Sequence, residues 1–303
     1  MKTVNTQKAF IGLFSFLLFV SITACRKETE TVNETNNSIS SRQPQTGRFS
    51  YADTLFYNHQ LTTDKFVPVI SQPSGTVLFK SIPSGLAIDS LTGRINISKS
   101  ESGIRYKVFA VNRQGRAIDS VKLVISGIDY ADGIYNLDVT PVAYDTAFPV
   151  YNAKPSLALP CDDDDDDEDN LCVFDETDLD GDGNDDISGV IQDKLLIDIK
   201  RGTIDLEASF RAGLFGSNPA NGTKKDFVMY YRLNDASGRA LQKINIRLYY
   251  YKRNTDIPQS LLNELSQRNN QSKSVNTRLI SGTEFTAYEK PKRPPILIIV
   301  GQQ

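Results

Sequence analysis

Tryptophan is absent from these 303 residues, histidine occurs once and methionine twice. The single histidine, His59, rules out the paired-histidine zinc motif His-Glu-x-x-His; a lone histidine is ordinarily a surface or packed residue. There is no Gly-x-Ser-x-Gly elbow and no phosphate-cradling glycine loop. A carboxylate pair could in principle cleave glycosides, but nothing singles out a pair, and clustered, solvated aspartates lack the apolar pocket that raises an acid's pKa. A cryptic hydrolase is therefore the last-ranked reading, and the chain is expected not to be an enzyme. Long apolar runs are also scarce: Phe10 to Val20 is too short for a membrane-spanning helix.

What the chain has in excess is carboxylate, in one place. From Asp162 to Asp186 there are fifteen Asp and Glu residues and no Lys or Arg. Such a density needs counter-ions, because like charges repel. The second half of this stretch has a pattern. Asp178, Asp180 and Asp182 are spaced by two, with Gly181 and Gly183 between and after them. Alternate side chains then point inward in a tight loop, offering the hard oxygen donors that Ca²⁺ prefers. Gly183 stands where the chain must turn sharply, Asn184 would offer its backbone carbonyl, and Asp186 occupies a position often bridged by water. The twelve residues resemble the Asp-x-Asp-x-Asp-Gly calcium loops of EF-hands, dockerins and thrombospondin type 3 repeats. They depart from them at Gly189, where those loops carry a bidentate Glu or Asp. The missing ligand is then sought at Asp175, Glu176 or Asp193. The run Asp162–Asp169 reads instead as a solvated acidic loop, free to fold back on the region from Ile187 onward, which has 18 basic against 10 acidic residues.

Residues 1–25 read as a targeting segment. Lys2 and Lys8 precede the apolar run, which ends in Ile22-Thr23-Ala24-Cys25. This resembles the lipobox of bacterial lipoproteins and implies cleavage before Cys25 and lipidation of that residue, hence an outer-membrane lipoprotein of the cell envelope, periplasmic or surface-exposed. Of three cysteines, one lipidated leaves two, and Cys161 and Cys172 can pair in an oxidising compartment. Residues 26–47, rich in Thr, Asn, Ser and Gln, read as a disordered tether.

Short strands separated by turns fill 48–128, with Leu86–Ile88, Arg94–Ile97, Arg105–Val111 and Ser120–Ser126 as the clearest. The run Ile82-Pro-Ser-Gly-Leu86 with Asp89-Ser-Leu-Thr-Gly93-Arg-Ile95 resembles bacterial Ig-like domains of the cadherin-like kind. That resemblance implies an Ig-like β-sandwich serving as spacer or adhesive module. The cadherin calcium ligands do not carry over, since Ala110-Val111-Asn112 stands where Ala-x-Asp would be.

Residues 129–303 read as a second β-rich domain, a sandwich or jelly-roll-like sheet with one helix and the acidic insert at 161–189. Lys194–Ile199 with Thr203–Phe210, and Asp226–Asn234 with Leu241–Tyr251, read as hairpins. Ile257, Leu261, Leu262 and Leu265 mark one helix face, capped by Thr255 or Asp256, with a polar loop from Asn269. Pro294–Val300 reads as a closing strand buried on both faces. The fold class is thus all-β. The leading functional reading is a lipid-anchored, non-enzymatic envelope protein for binding or adhesion with a structural Ca²⁺. The alternative is a polysaccharide-capturing surface lipoprotein using an outward face of Tyr230, Arg232, Arg247, Tyr249 and Tyr251 beside Val228. The membrane, a glycan or another envelope protein are the partners implied; nucleic acid is not, because the basic excess is scattered.

Overall fold

In the computed structural model of the chain, the described residues are 49–59, 63–71, 73, 77–137, 145–161, 172–276 and 293–301. The targeting segment, Cys25, the tether and the run Asp162–Asp169 lie outside them. From Pro44 onward the chain forms one compact unit. It is predominantly β-sheet with few short helices, and it holds two main apolar cores, one from each half.

The first half contributes β1 (Leu55–Phe56), β2 (Phe66–Val67), β3 (Leu78–Ile82), β4 (Ile95–Asn96), β5 (Ile104–Val111) and β6 (Ala117–Ile125). Strands β1-β6-β5-β3 form one sheet, and β2 pairs with β4 in a separate ribbon. Both donate side chains to a single core. Period-two alternation places Tyr106, Val108 and Ala110 of β5 in that core, opposite Leu123 and Val121 of β6. The other β5 face, with Phe109 and Val111, packs against Ala117 and Ile82. The turn between Ile88 and Ile95 is held by Asp89, whose Oδ1 accepts the N–H groups of Leu91 and Thr92. Gly93 closes the turn at φ +70°, where a Cβ would stand 2.6 Å from Val69.

The second half contributes β7 (Ile128–Tyr130), β8 (Gly133–Asn136), β9 (Thr146–Ala147), β10 (Pro149–Tyr151), β11 (Val173–Phe174), β12 (Ile204–Asp205), α1 (Leu206–Arg211), β13 (Thr223–Arg232), β14 (Gln242–Tyr251), α2 (Gln259–Asn276) and β15 (Ile296–Val300). The expected β13–β14 hairpin forms, with Ile244, Ile246, Leu248 and Tyr250 all buried inward. Strand β15 is buried throughout, as its apolar run requires, but it lies inside the sheet. The order is β11-β13-β14-β15-β8, with β15 parallel to both neighbours. One face of β15 enters the main core through Leu297 and Ile299; the other, through Ile296, Ile298 and Val300, is covered by Ile257, Leu261 and Leu265 around α2. A strand parallel on both sides is covered on both faces in this way.

Three expectations are corrected. Residues 206–211 are helix α1, not strand. Asp205 Oδ1 accepts from Ala208 N (2.7 Å) as N-cap, and Leu206 and Phe210, one turn apart, share the buried side. The expected strand Lys194–Ile199 reduces to a single bridge between Ile197 and Ile204. Helix α2 runs on through the expected polar loop to Asn276 and starts later than its proposed caps, because Asn254–Asp256 forms a 3-10 turn and Pro258 O accepts from Leu261 N. Its buried Arg268 pairs with Asp132 (3.0 Å) and donates to Pro294 O (2.8 Å). Among the described residues no helix is long and apolar enough to cross a membrane.

Candidate metal centre

The acidic loop hangs from the outer edge of the five-stranded sheet. Strand β11 pairs with the end of β13, and the chain leaves it through Asp175 at φ 59°. Asp175 accepts from Val190 N (2.6 Å) and Ile191 N (3.0 Å), which closes the loop's far end. The Asp175 carboxylate lies directly over Gly189: a Cβ there would stand 2.4 Å from its Oδ2. The departure from the loop pattern at position twelve therefore has a steric cause. Any side chain at 189 would displace Asp175.

Within the loop most carboxylates turn back on the backbone. Asp178 Oδ1 accepts from Gly181 N (2.6 Å) and Asp182 N (3.2 Å), and its Oδ2 from Gly183 N (2.8 Å). These bonds, that from Gly183 first, hold the Asp178 carboxyl below its usual 3.8, with a further contribution from the Arg232 charge. Asp186 Oδ2 accepts from Leu179 N (2.8 Å) and Asp180 N (3.2 Å), and Thr177 donates to Asp185. Gly181 and Gly183 have φ of 84° and 91°, a region open to glycine at little cost. The outcome is that Asp178, Asp180 and Asp186 each bring a carboxylate oxygen within 4.8 Å of the others. The cluster is half-exposed to exposed.

Three of the five sequence-proposed ligands are thus brought together. Asp182 turns aside: its Oδ1 accepts from Asn184 N (2.9 Å) and Asn184 Nδ2 (3.0 Å). The sources proposed for a further ligand are engaged or remote. Asp175 caps backbone. Glu176 pairs with Arg232 Nε (2.7 Å) and accepts from Asp178 N (3.2 Å). Asp193 is exposed on the following turn, outside the cluster. The donor set is all hard oxygen and fits a divalent cation such as Ca²⁺ in chemistry, with further oxygens to come from backbone or water.

The Tyr/Arg sheet face is not assembled. Arg232 is turned into the loop, where its Nη2 donates to Asp178 O (3.2 Å) and Leu179 O (3.4 Å). Arg247 is held by Asp226 through Nε (2.6 Å) and Nη2 (3.1 Å). Tyr251 is buried and Tyr249 partly buried beside α2. Tyr230 stands opposite Lys243, six residues from Tyr249 along β14, about 20 Å at strand rise. Cys161 and Cys172 form the expected disulfide, with Cα atoms 5.5 Å apart. The buried Cys172 packs in the second core, and its Sγ accepts from Asn234 N (3.3 Å).

Sequence reasoning missed the seam between the two halves. Tyr231 reaches across it: Ile128 N donates to its hydroxyl (3.2 Å), Ser102 Oγ lies 3.1 Å away, and the hydroxyl donates to Gln242 Oε1 (3.2 Å). Buried Arg293 donates to Ser102 O and Ile128 O from the same side. These residues come from four separate stretches of chain, so no local motif marks them.

No protein-family model matches this chain, and no curated protein does. Among solved structures it is similar to a crystal structure of Drosophila N-cadherin EC1-4, at 10% identity and a TM-score of 0.19, over 67% of this chain and 49% of that one. The chain thus spans about half the length of that structure, and a likeness at this level carries no argument.

Proposed function

We propose that the chain is a lipid-anchored, non-enzymatic binding or adhesion protein of the bacterial cell envelope, with an Ig-like first half as spacer and a Ca²⁺-stabilised second half. The observation that carries this reading is the convergence of Asp178, Asp180 and Asp186 on a loop pinned to the sheet by Glu176 and Arg232. A bound Ca²⁺ would neutralise that cluster and fix the loop against β13. The resemblance of Ile22-Thr23-Ala24-Cys25 to a lipobox supports the anchor, and the shared core of the β1-β6-β5-β3 sheet and the β2-β4 ribbon supports the Ig-like sandwich. The Tyr/Arg face gives no support to glycan capture at that position, because its members are parted or already engaged.

The test is cell attachment. The full chain, Cys25→Ala and Asp180→Asn are expressed in a Gram-negative host, and clustering or surface adhesion is scored with Ca²⁺ and with chelator. Adhesion that requires both Cys25 and Ca²⁺ is expected. Adhesion indifferent to all three changes, or none above the empty host, would remove the proposal.

A further inference from the structure

The first half carries apolar side chains where a sandwich strand ordinarily turns polar ones to water. Strand β2 and the residues after it alternate cleanly. Val67 and Val69 enter the core, while Phe66, Pro68 and Ile70 face out, Phe66 at 44% and Ile70 at 61% exposure. Val67 pairs antiparallel with Ile95, and extending that register sets Pro68 beside Arg94 and Ile70 beside Thr92. Pro68, Val69, Asp89, Thr92 and Arg94 line one pocket, as this register requires. Leu91, next along at the tip of the turn, is the most exposed large apolar residue among those described, at 73%.

Single apolar residues on a surface need no explanation, but a contiguous row does. The backbone under this row is already spent. Pro68 has no N–H, and Ile70 N donates to Ser50 O (2.8 Å). In the turn, the N–H groups of Leu91 and Thr92 donate to Asp89 Oδ1, Gly93 N to Asp89 O (2.8 Å) and Asp89 N to Arg94 O (2.9 Å). A protein strand added here would find few backbone groups to pair with. A bilayer asks for none, because lipid accepts apolar side chains only where the backbone beneath them is satisfied within the protein. Arg94 adds a cation at the edge of the row. Its guanidinium lies 4.2 Å from the centroid of the Phe66 ring, so a ring sunk among acyl chains would leave the guanidinium at the level of the phosphates.

The row also lies where the chain enters the folded unit: Ser50 bridges Ser71, next to Ile70. The 24 residue steps from Cys25 to Phe49 reach at most about 85 Å. A lipid on Cys25 would thus hold the unit near the membrane at an effective concentration on the order of 1 mM, where weak apolar contacts suffice. We infer that Phe66, Ile70 and Leu91, with Arg94 at their edge, form a face that docks on a lipid bilayer. The inference rests on the lipid-anchor reading for bringing that bilayer within reach.

Because the chain has no tryptophan, one introduced by mutation reports alone. The full chain is prepared as Leu91→Trp, as Ile70→Trp, and as the control Ile199→Trp, a residue of the second half that is 55% exposed. Each is reconstituted in phosphatidylethanolamine–phosphatidylglycerol vesicles, with and without lipid brominated in the upper acyl chain. Mass spectrometry of the same protein reads the lipid on Cys25. Leu91→Trp and Ile70→Trp should be blue-shifted and quenched at least about 3-fold more than Ile199→Trp, since a docked side chain lies ~5–10 Å into the boundary of headgroups and chains. Adding Ile70→Asp to Leu91→Trp should return its quenching to the level of the control. Equal quenching at all three positions on a lipidated chain would overturn the docking face and leave the anchor standing. If Cys25 carries no lipid, the anchor reading falls. The face then stands or falls on whether added vesicles, at about 1 mM lipid, quench Leu91→Trp above Ile199→Trp. A blue shift that bromine does not quench and that grows with protein density would make the row a contact between copies of the chain, and would also overturn the inference.

Discussion

Calcium should stabilise this protein through Asp178, Asp180 and Asp186 and not through Asp182. The experiment is thermal unfolding of the Pro44–Gln303 unit, non-reduced, with Ca²⁺ and with chelator. An ion that binds only the native state at about 100 times its dissociation constant adds about 2.7 kcal/mol, which for a chain of this size raises Tm by about 5–10 °C. Asp180→Asn and Asp186→Asn each remove a carboxylate from the cluster and should erase most of that shift. Asp182→Asn should keep it, because Asp182 already faces Asn184 and stands outside the cluster. Asp178→Asn should do two things. It should erase the shift, and it should also lower Tm in chelator, because Asp178 accepts three backbone N–H groups without any ion. The reasoning fails if Asp182→Asn is as damaging to the calcium shift as Asp186→Asn, or if the wild type shows no shift at millimolar Ca²⁺.

Three further outcomes follow from buried or paired charge. Folding raises the Glu101 pKa, so its stabilising contribution is present below its usual 4.5 and is lost as pH rises through the folded value. Glu101→Gln should therefore raise the urea midpoint at pH 8 and leave it unchanged at pH 4; an equal change at both would refute this. Asp132→Ala strands the buried Arg268 and the Ile296 N–H, and should cost about 3 kcal/mol in urea unfolding, whereas an exposed control such as Asp193→Ala should cost almost nothing. Arg232→Gln removes a cation beside the loop, so the protein should be less stable in chelator yet gain a larger Tm shift from Ca²⁺ than the wild type. A smaller shift would mean that Arg232 serves the site by positioning alone.

The β13–β14 hairpin was legible because ten residues of clean alternation flank a turn at Asp235-Ala-Ser-Gly238, and no helical stripe competes. Residues 204–210 show why alternation can mislead. Ile204, Leu206, Ala208 and Phe210 fit a period of two, but Leu206 and Phe210 also fit a helical turn. The deciding signal was the capping Asp205, read as an outward strand residue. The polar run after Arg268 reads as a loop by composition, yet it continues the helix. Its helix is anchored by Leu261, Leu265 and the buried Arg268, with Ile257 just before it, so its later turns can be polar. The parallel seat of β15 was not legible, since an apolar run reports burial and not partners. At the loop, spacing points to Asp178, Asp180, Asp182, Asn184 and Asp186 alike, and the structure clusters the carboxylates of Asp178, Asp180 and Asp186. What turned Asp182 away and forbade a side chain at 189 depends on neighbours that spacing does not encode.

One strand, β13, borders both the acidic loop and the cleft between the halves. Along β13, Tyr230, Tyr231 and Arg232 are consecutive, so their side chains alternate between faces. Arg232 reaches the acidic loop, and Tyr230 O accepts from Glu176 N (2.9 Å) at the loop's root. Tyr231 points into the core with its hydroxyl beside Gln242 and Ser102, while Tyr230 borders the cleft. The Glu176–Arg232 ion pair and the Arg232 bonds to Asp178 O and Leu179 O tie the acidic loop to β13. The cleft is formed by that same strand closing on Ser98–Ser102, through the Ser102 and Tyr231 hydroxyls.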